Sequence, residues 1–170
     1  MTASQRRAVI LQALNRADGP LSATTLARTC SVSRQIIVGD IALLRAAGEA
    51  ITATPRGYLL GESGRGLLRQ VACVHRGEDM ERELTIMVDH GCTVEDVIVE
   101  HSLYGQLVGQ LHLSSRYDVE QFLQKAAQSE AIPLSTLTEG IHLHTLRCPD
   151  QAAFARVRAE LEAAGFLVRD

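Results

Sequence analysis

The stretch CSVSRQIIVGDIALLRAAGEAITATPRGYLL, residues 30–60, changes periodicity in the middle, and that change decides the fold of the N-terminal third. From Ser33 onward, Ile37, Ile41 and Leu44 recur at the i, i+4, i+7 spacing of one helical face. Ser33 is a good cap for the first turn, and Gly48 stands where a helix ends. The segment AITATPRGYLL then reads as two short strands joined by a turn at Pro55, Arg56 and Gly57. Working outward, Val9, Ile10, Leu11 and Leu14 predict a helix over residues 3–15, stopped by Ala17, Asp18, Gly19 and Pro20. Ser22 caps a second helix, ATTLARTC. Three helices followed by a hairpin predict a winged helix-turn-helix over residues 1–60.

The spacing on the third helix also says what such a module reads. With Ile37, Ile41 and Leu44 turned to the core, Ser33, Arg34, Gln35 and Val38 are left on the outer face. Arginine can hydrogen-bond guanine bidentately, glutamine can do the same to adenine, and valine offers an apolar contact to a thymine methyl. Arg56, at the hairpin tip, is placed for phosphate or the minor groove. A helical triplet with a hairpin can also serve as a protein-interaction module, but the basic, short-chained outer face favours DNA. The run in residues 30–60 is similar to the biotin-repressor-like helix-turn-helix at the N-terminus of bacterial metabolite-responsive repressors. That resemblance implies fold and DNA binding and leaves the effector open.

Charge separates the two parts of the chain. Residues 1–60 carry seven arginines against Asp18, Asp40 and Glu49, a net of +4, whereas residues 61–170 carry ten basic and seventeen acidic groups, a net of −7. A basic small domain joined to a larger acidic one suits a nucleic-acid reader coupled to a second activity. The 170 residues, 46% hydrophobic and 4% aromatic, hold no apolar run near the ~20 residues of a transmembrane helix. The N-terminus MTASQRRAVI lacks the apolar core of a signal peptide, so the expectation is a cytoplasmic protein without a membrane partner. Cys30, Cys73, Cys92 and Cys148 form no CxxC pair, which predicts reduced thiols, with Cys73 and Cys92 as small buried apolar residues.

The polar run GESGRG, Gly61 to Gly66, marks the expected domain boundary. Beyond it, over residues 67–170, the pattern runs LLRQVACVH (strand), EDMERELTIMVDHG (helix), TVEDVIVEH (strand), QLVGQLHL (strand), DVEQFLQKAAQ (helix), GIHLHTLRC (strand), DQAAFARVRAELEAAG (helix) and FLVRD (strand). The predicted order is βαββαβαβ: an α+β sandwich with helices on one face of a mainly antiparallel sheet.

Within that sandwich, His142 and His144 stand at alternate positions of one strand, so both rings share a face about 6.6 Å apart along the axis. His75 and His101 each end a strand. On the following helix Met80, Leu84, Met87 and Val88 form the buried stripe, and Glu83 lies on that same side. Three neutral imidazoles and a carboxylate suit a divalent transition ion such as zinc, nickel or iron. Two readings stay open on spacing alone: a metal cage, or imidazoles bonded to carbonyls with Glu83 reaching to the surface. His90, near a helix C-terminus, and His112, on a half-exposed strand, read as ordinary surface histidines.

A second resemblance narrows the choice. QVACVHRGEDMERELTIMVDHGCTVEDVIVEHSLYGQL and PLSTLTEGIHLHTL are similar to the bacterial three-histidine domain, which follows such a helix-turn-helix in the nicotinate-responsive, NiaR-type repressors of NAD synthesis and niacin uptake. The resemblance covers nearly the whole chain, and it implies metal ligands at His75, Glu83, His142 and His144. It sets His101 and Tyr104 beside the site, where with Arg116 they are the expected effector contacts, and it implies nicotinate or a related pyridine carboxylate as co-repressor. A homodimer on a palindromic double-stranded operator is expected with it. Ser102 stands where the family usually has proline, a departure that removes no donor. Two other functions were weighed: a repressor whose effector is the metal itself, and a metal-dependent hydrolase using Glu100 or Asp89 as base. The absence of a nucleophile motif or phosphate-binding glycine loop argues against an enzyme, so no catalytic residue is assigned.

Overall fold

The computed structural model describes residues 1–61 and 66–170; most of the boundary expected at Gly61 to Gly66 thus lies outside the described residues. The chain divides into two compact units, Met1–Ser63 and Gly64–Asp170.

The first unit holds α1 (Ala3–Arg16), α2 (Ala23–Cys30), α3 (Arg34–Ala46) and the hairpin β1 (Ile51–Thr54) and β2 (Gly57–Leu60). Each helix starts at a side-chain cap: Thr2 with Gln5 forms a capping box, Ser22 accepts from the Thr25 N–H, and Ser33 accepts from the Ile36 N–H. Ser31 closes α2 in the left-handed conformation, making the turn between α2 and α3. The expected stripe of Ile37, Ile41 and Leu44 is buried with Ile10, Leu14, Leu26 and Ile51. Asp40 is buried too, where α1 supplies Arg6 at 2.5 Å and Arg7 at 3.5 Å, so this acid on α3 is answered by the arginines of α1.

The second unit is a four-stranded antiparallel sheet in the order β3 (Leu67–Val74), β6 (Ile141–Cys148), β4 (Thr93–His101), β5 (Gly105–Leu113). Three helices, α4 (Met80–Asp89), α5 (Arg116–Gln128) and α6 (Gln151–Ala163), supply Leu84, Met87, Val119, Phe154, Val157 and Leu161 to the core. Along β6, His142, His144, Leu146 and Cys148 are buried while Ile141 is 52% exposed, so one face of the strand is covered and the other is open. This is the expected α+β sandwich with three differences. The strand expected at residues 166–170 is a single bridge, Leu167 to Cys73, held by the Val74 N–H on the Phe166 carbonyl and the Val168 N–H on Ala72. A 3-10 turn, Leu134–Thr138, follows Pro133 where no element was expected. Arg116, expected before its helix, is the first residue of α5.

Gly57 shows how tightly the hairpin is set. Its φ is +142°, a Cβ there would stand 2.3 Å from the Leu21 carbonyl oxygen, and Leu21 and Tyr58 exchange backbone hydrogen bonds beside it. Gly57→Ala is expected to destabilise the N-terminal unit by about 1–3 kcal/mol, read as a lower midpoint for that unit in a circular-dichroism melt.

Candidate functional site

Strand register and one helix bring the second unit's polar groups together. Antiparallel pairing sets Cys73 opposite His142 and Val71 opposite His144, while the His75 N–H reaches the Gly140 carbonyl just beyond the paired segment. The covered face at this end of β3 and β6 is therefore lined by Cys73, His75, His142 and His144. The buried side of α4 lowers Glu83 onto it, 1% exposed. His142 Nε2 lies 2.8 Å from Glu83 Oε1, and the Nε2 atoms of His75 and His144 lie 2.5 Å and 3.4 Å from Oε2. Ring centroids are 4.9 Å apart for His75 and His142, and 4.8 Å for His142 and His144.

The remaining ring nitrogens settle the tautomers. Nδ1 of His75 is 2.7 Å from the Arg76 carbonyl, Nδ1 of His142 is 2.8 Å from that of Gly140, and Nδ1 of His144 is 2.7 Å from that of Asp96. A carbonyl only accepts, so each Nδ1 carries the proton and donates. In a neutral ring that leaves the Nε2 lone pair aimed at a carboxylate. Two acceptors facing one another need a cation between them, either a proton or a metal ion. The Nε2 atoms of His75 and His144 are buried without a hydrogen bond of acceptable geometry, which marks the same need. Carbonyl-anchored Nδ1–H with free Nε2 is the arrangement in which histidine ligates metals. Cys73, Glu83 and His142 each present a ligand atom, all within 4.8 Å of one another. The donor set fits a divalent cation.

Electrostatics follow from that convergence. Burial works against ionisation of Glu83, but the charge of His144 and the contacts of His142, His144 and His75 outweigh it, holding the carboxyl well below its ordinary range. Burial likewise opposes the charged form of His144, and Glu83 reverses this and raises it; His75 is raised by the same balance. Burial, followed by Glu83, pushes the Cys73 thiol up.

Gly140 makes the corner of the site possible. It sits at φ +94°, and a Cβ there would fall 2.4 Å from the His75 carbonyl oxygen, so only glycine lets the chain enter β6 this close to His75.

The other expected residues divide. His101 and Tyr104 do come together, rings 5.1 Å apart at 31°, with the Leu103 and Tyr104 N–H groups donating to His101 Nδ1 at 3.1 and 3.3 Å. That fixes the opposite tautomer: His101 presents an Nε2–H donor. Arg116 is engaged elsewhere, its Nε and Nη2 on the Asp89 carboxylate at 2.7 and 2.6 Å. The pair raises Arg116 and lowers Asp89, which leaves Asp89 poorly suited as a general base. His90 meets Glu160 at 2.5 Å, and His112, at φ +53°, meets Glu95 at 3.2 Å. In the first unit Ser33, Arg34 and Gln35 are exposed, and Val38 and Arg56 are half-buried. Cys73 is buried as expected, but against the carboxylate and an imidazole as well as apolar neighbours. Its spacing two residues before His75, on the same strand face, was the sequence signal for this.

A helix-turn-helix unit followed by a sandwich with a buried imidazole–carboxylate centre defines a two-module DNA-binding regulator. Family models agree: residues 6–59 match an HTH domain and residues 68–170 match the 3H domain. The chain is 42% identical over 166 residues to the probable transcription repressor NiaR of Thermotoga maritima, covering 98% of this chain and 95% of that one. It is 39% identical over 171 residues to the transcription repressor NadR of Bacillus subtilis, with the same coverage of each. The chain belongs to this NiaR/NadR family of transcription repressors. Its relatives are regulators, not enzymes, so the hydrolase alternative falls away. Among the described residues no helix is long and apolar enough to cross a membrane.

Glu83→Gln keeps the shape and removes the charge that faces three imidazoles. In chelator-treated protein it is expected to cost about 1–3 kcal/mol of the second unit's stability, measured by urea denaturation.

Proposed function

We propose that the chain is a metal-dependent repressor of NAD biosynthesis or niacin-uptake genes, with nicotinate as co-repressor, acting in the cytoplasm as a homodimer on a palindromic operator. One observation carries this reading: three histidines, each fixed in the Nδ1–H tautomer by a backbone carbonyl, aim Nε2 at one buried carboxylate in a chain that begins with a helix-turn-helix. His75, Glu83, His142 and His144 are the ligands in this reading. Nickel, zinc and iron all suit such donors. When bound, the ion offers coordination positions to a carboxylate or a pyridine nitrogen.

The chain's own residues supply the rest. The pair His101 and Tyr104, its rings tilted at 31°, offers an Nε2–H donor and an aromatic face, which suit a flat anionic ring. Arg116 is not with them: it follows Leu113, which pairs with Val94 at the opposite end of β4 and β5 from His101, and it stays on Asp89. On the DNA side, Ser33, Arg34, Gln35 and Val38 enter the major groove, and Arg56 lies on the wing, near the backbone or minor groove. Two-fold symmetry sets the half-sites a whole number of helical turns apart. Nicotinate tightens repression through its preference for the DNA-competent arrangement, since an effector moves an equilibrium only by differential affinity.

His142→Ala combined with His144→Ala is expected to abolish uptake of divalent metal, checked by elemental analysis after dialysis; unchanged metal content would sink the ligand assignment. Arg34→Ala with Gln35→Ala is expected to weaken specific operator binding by about 1–3 kcal/mol per lost base contact while sparing metal content. In a mobility-shift titration of the metal-loaded protein, nicotinate is expected to tighten operator binding about 5–150-fold. A shift produced by metal alone and insensitive to nicotinate would make the ion itself the effector.

A further inference from the structure

We propose that Cys73 is a fifth protein ligand of this centre, a thiolate that joins His75, Glu83, His142 and His144 in a mixed nitrogen, oxygen and sulfur donor set. The proposal rests on the metal-binding reading above and goes beyond it, because neither strand spacing nor family resemblance had assigned Cys73 to the site. Cys73 is fully buried on β3, directly across from His142 in the strand register and two residues before His75 on the same covered face. Its Sγ lies within 4.8 Å of a ligand atom on Glu83 and of one on His142. A buried cysteine ordinarily behaves as a small apolar residue packed among apolar neighbours. This one instead points its sulfur into a polar cluster already organised around one carboxylate, where a thiolate completes the donors and a methyl group would not.

The other cysteines do not compete for the role. Cys30 belongs to the first unit. Cys92 and Cys148 meet each other at 3.0 Å at the far end of β6, six residues or roughly 20 Å along the strand from His142. Ligation by Cys73 forms an Sγ–metal bond and releases the thiol proton to solvent. A thiolate in the set shifts preference towards zinc, nickel and cobalt and away from manganese and magnesium.

The test is cobalt(II) titration of the chelator-stripped full-length protein, followed by absorption spectroscopy. Expected are visible d–d bands together with a near-ultraviolet thiolate-to-cobalt charge-transfer band. In both Cys73→Ser and Cys73→Ala the charge-transfer band is expected to vanish while visible cobalt bands persist. Zinc is expected to lose affinity relative to manganese by at least the roughly tenfold that loss of an outer-shell partner costs. Cobalt bound with d–d bands but no charge-transfer band in the unmodified protein overturns the role of Cys73 and leaves the histidine–glutamate centre standing. A charge-transfer band that survives both substitutions overturns it equally. Failure to bind cobalt or any other divalent ion overturns the metal reading and this proposal together.

Discussion

The carboxylate of Glu83 is the constraint on which the second unit depends. An isolated ionised carboxylate in an apolar interior costs on the order of tens of kcal/mol, so a glutamate 1% exposed on the inner side of a helix is tolerated only where positive charge or strong donors meet it. Here three imidazoles do so, and each is itself held by a carbonyl at Nδ1. The carbonyls come from Arg76, Gly140 and Asp96, that is, from the exit of β3, the entry to β6 and the middle of β4. The sheet's backbone thus sets the ring orientations, and the rings set what Glu83 can accept. A neutral ring held this way turns a lone pair to the carboxylate, so the centre is satisfied only with a proton or a metal ion between them.

The two units solve different problems with different residues. The first uses Ser caps, a left-handed Ser31 and the Arg6 and Arg7 contacts with Asp40 to hold α3 with Ser33, Arg34 and Gln35 in solvent. Its net positive charge suits a polyanion. The second is acidic overall and buries the side chains of three of its six histidines, His75, His142 and His144, where solvent and bulk anions have little access. The charge that suits the first unit to DNA is thus kept apart from the charge that Glu83 and its imidazoles hold in the interior of the second.

Much of this was legible in the sequence because it depends on periodicity. His142 and His144 fall on one face of β6 by the two-residue repeat, and Glu83 falls on the inner side of α4 by its distance from Met80, Leu84 and Met87. The winged helix-turn-helix followed from the caps, the apolar stripe and the hairpin turn at Pro55, Arg56 and Gly57. Part of what escaped depends on groups that carry no side-chain signature, and the rest on pairings distant in sequence. The carbonyls that fix the tautomers are backbone atoms, and the left-handed Gly140 that brings His75 close is one glycine among thirteen. The single bridge at Leu167 looked like a strand because Phe166, Leu167 and Val168 are apolar, yet only an edge of β3 was available to them. Arg116 looked free for an anion because its partner, Asp89, lies 27 residues earlier. Cys73 was assigned by its residue type, when its position two residues from His75 was the more informative fact.

Of the groups that line the centre, only Glu83 rides on a helix; Cys73, His142 and His144 stand on strands whose register fixes them, and His75 directly follows β3. The helix is retained by its apolar stripe and, six residues or about 9 Å further along, by the Asp89–Arg116 pair that ties its last turn to the first turn of α5. That pair is well aligned but solvent-exposed, so it restrains α4 only weakly. Leu84 and Met87 on that stripe are as deeply buried as Glu83 itself, so the packing that holds α4 on the sheet also holds the carboxylate over the imidazoles.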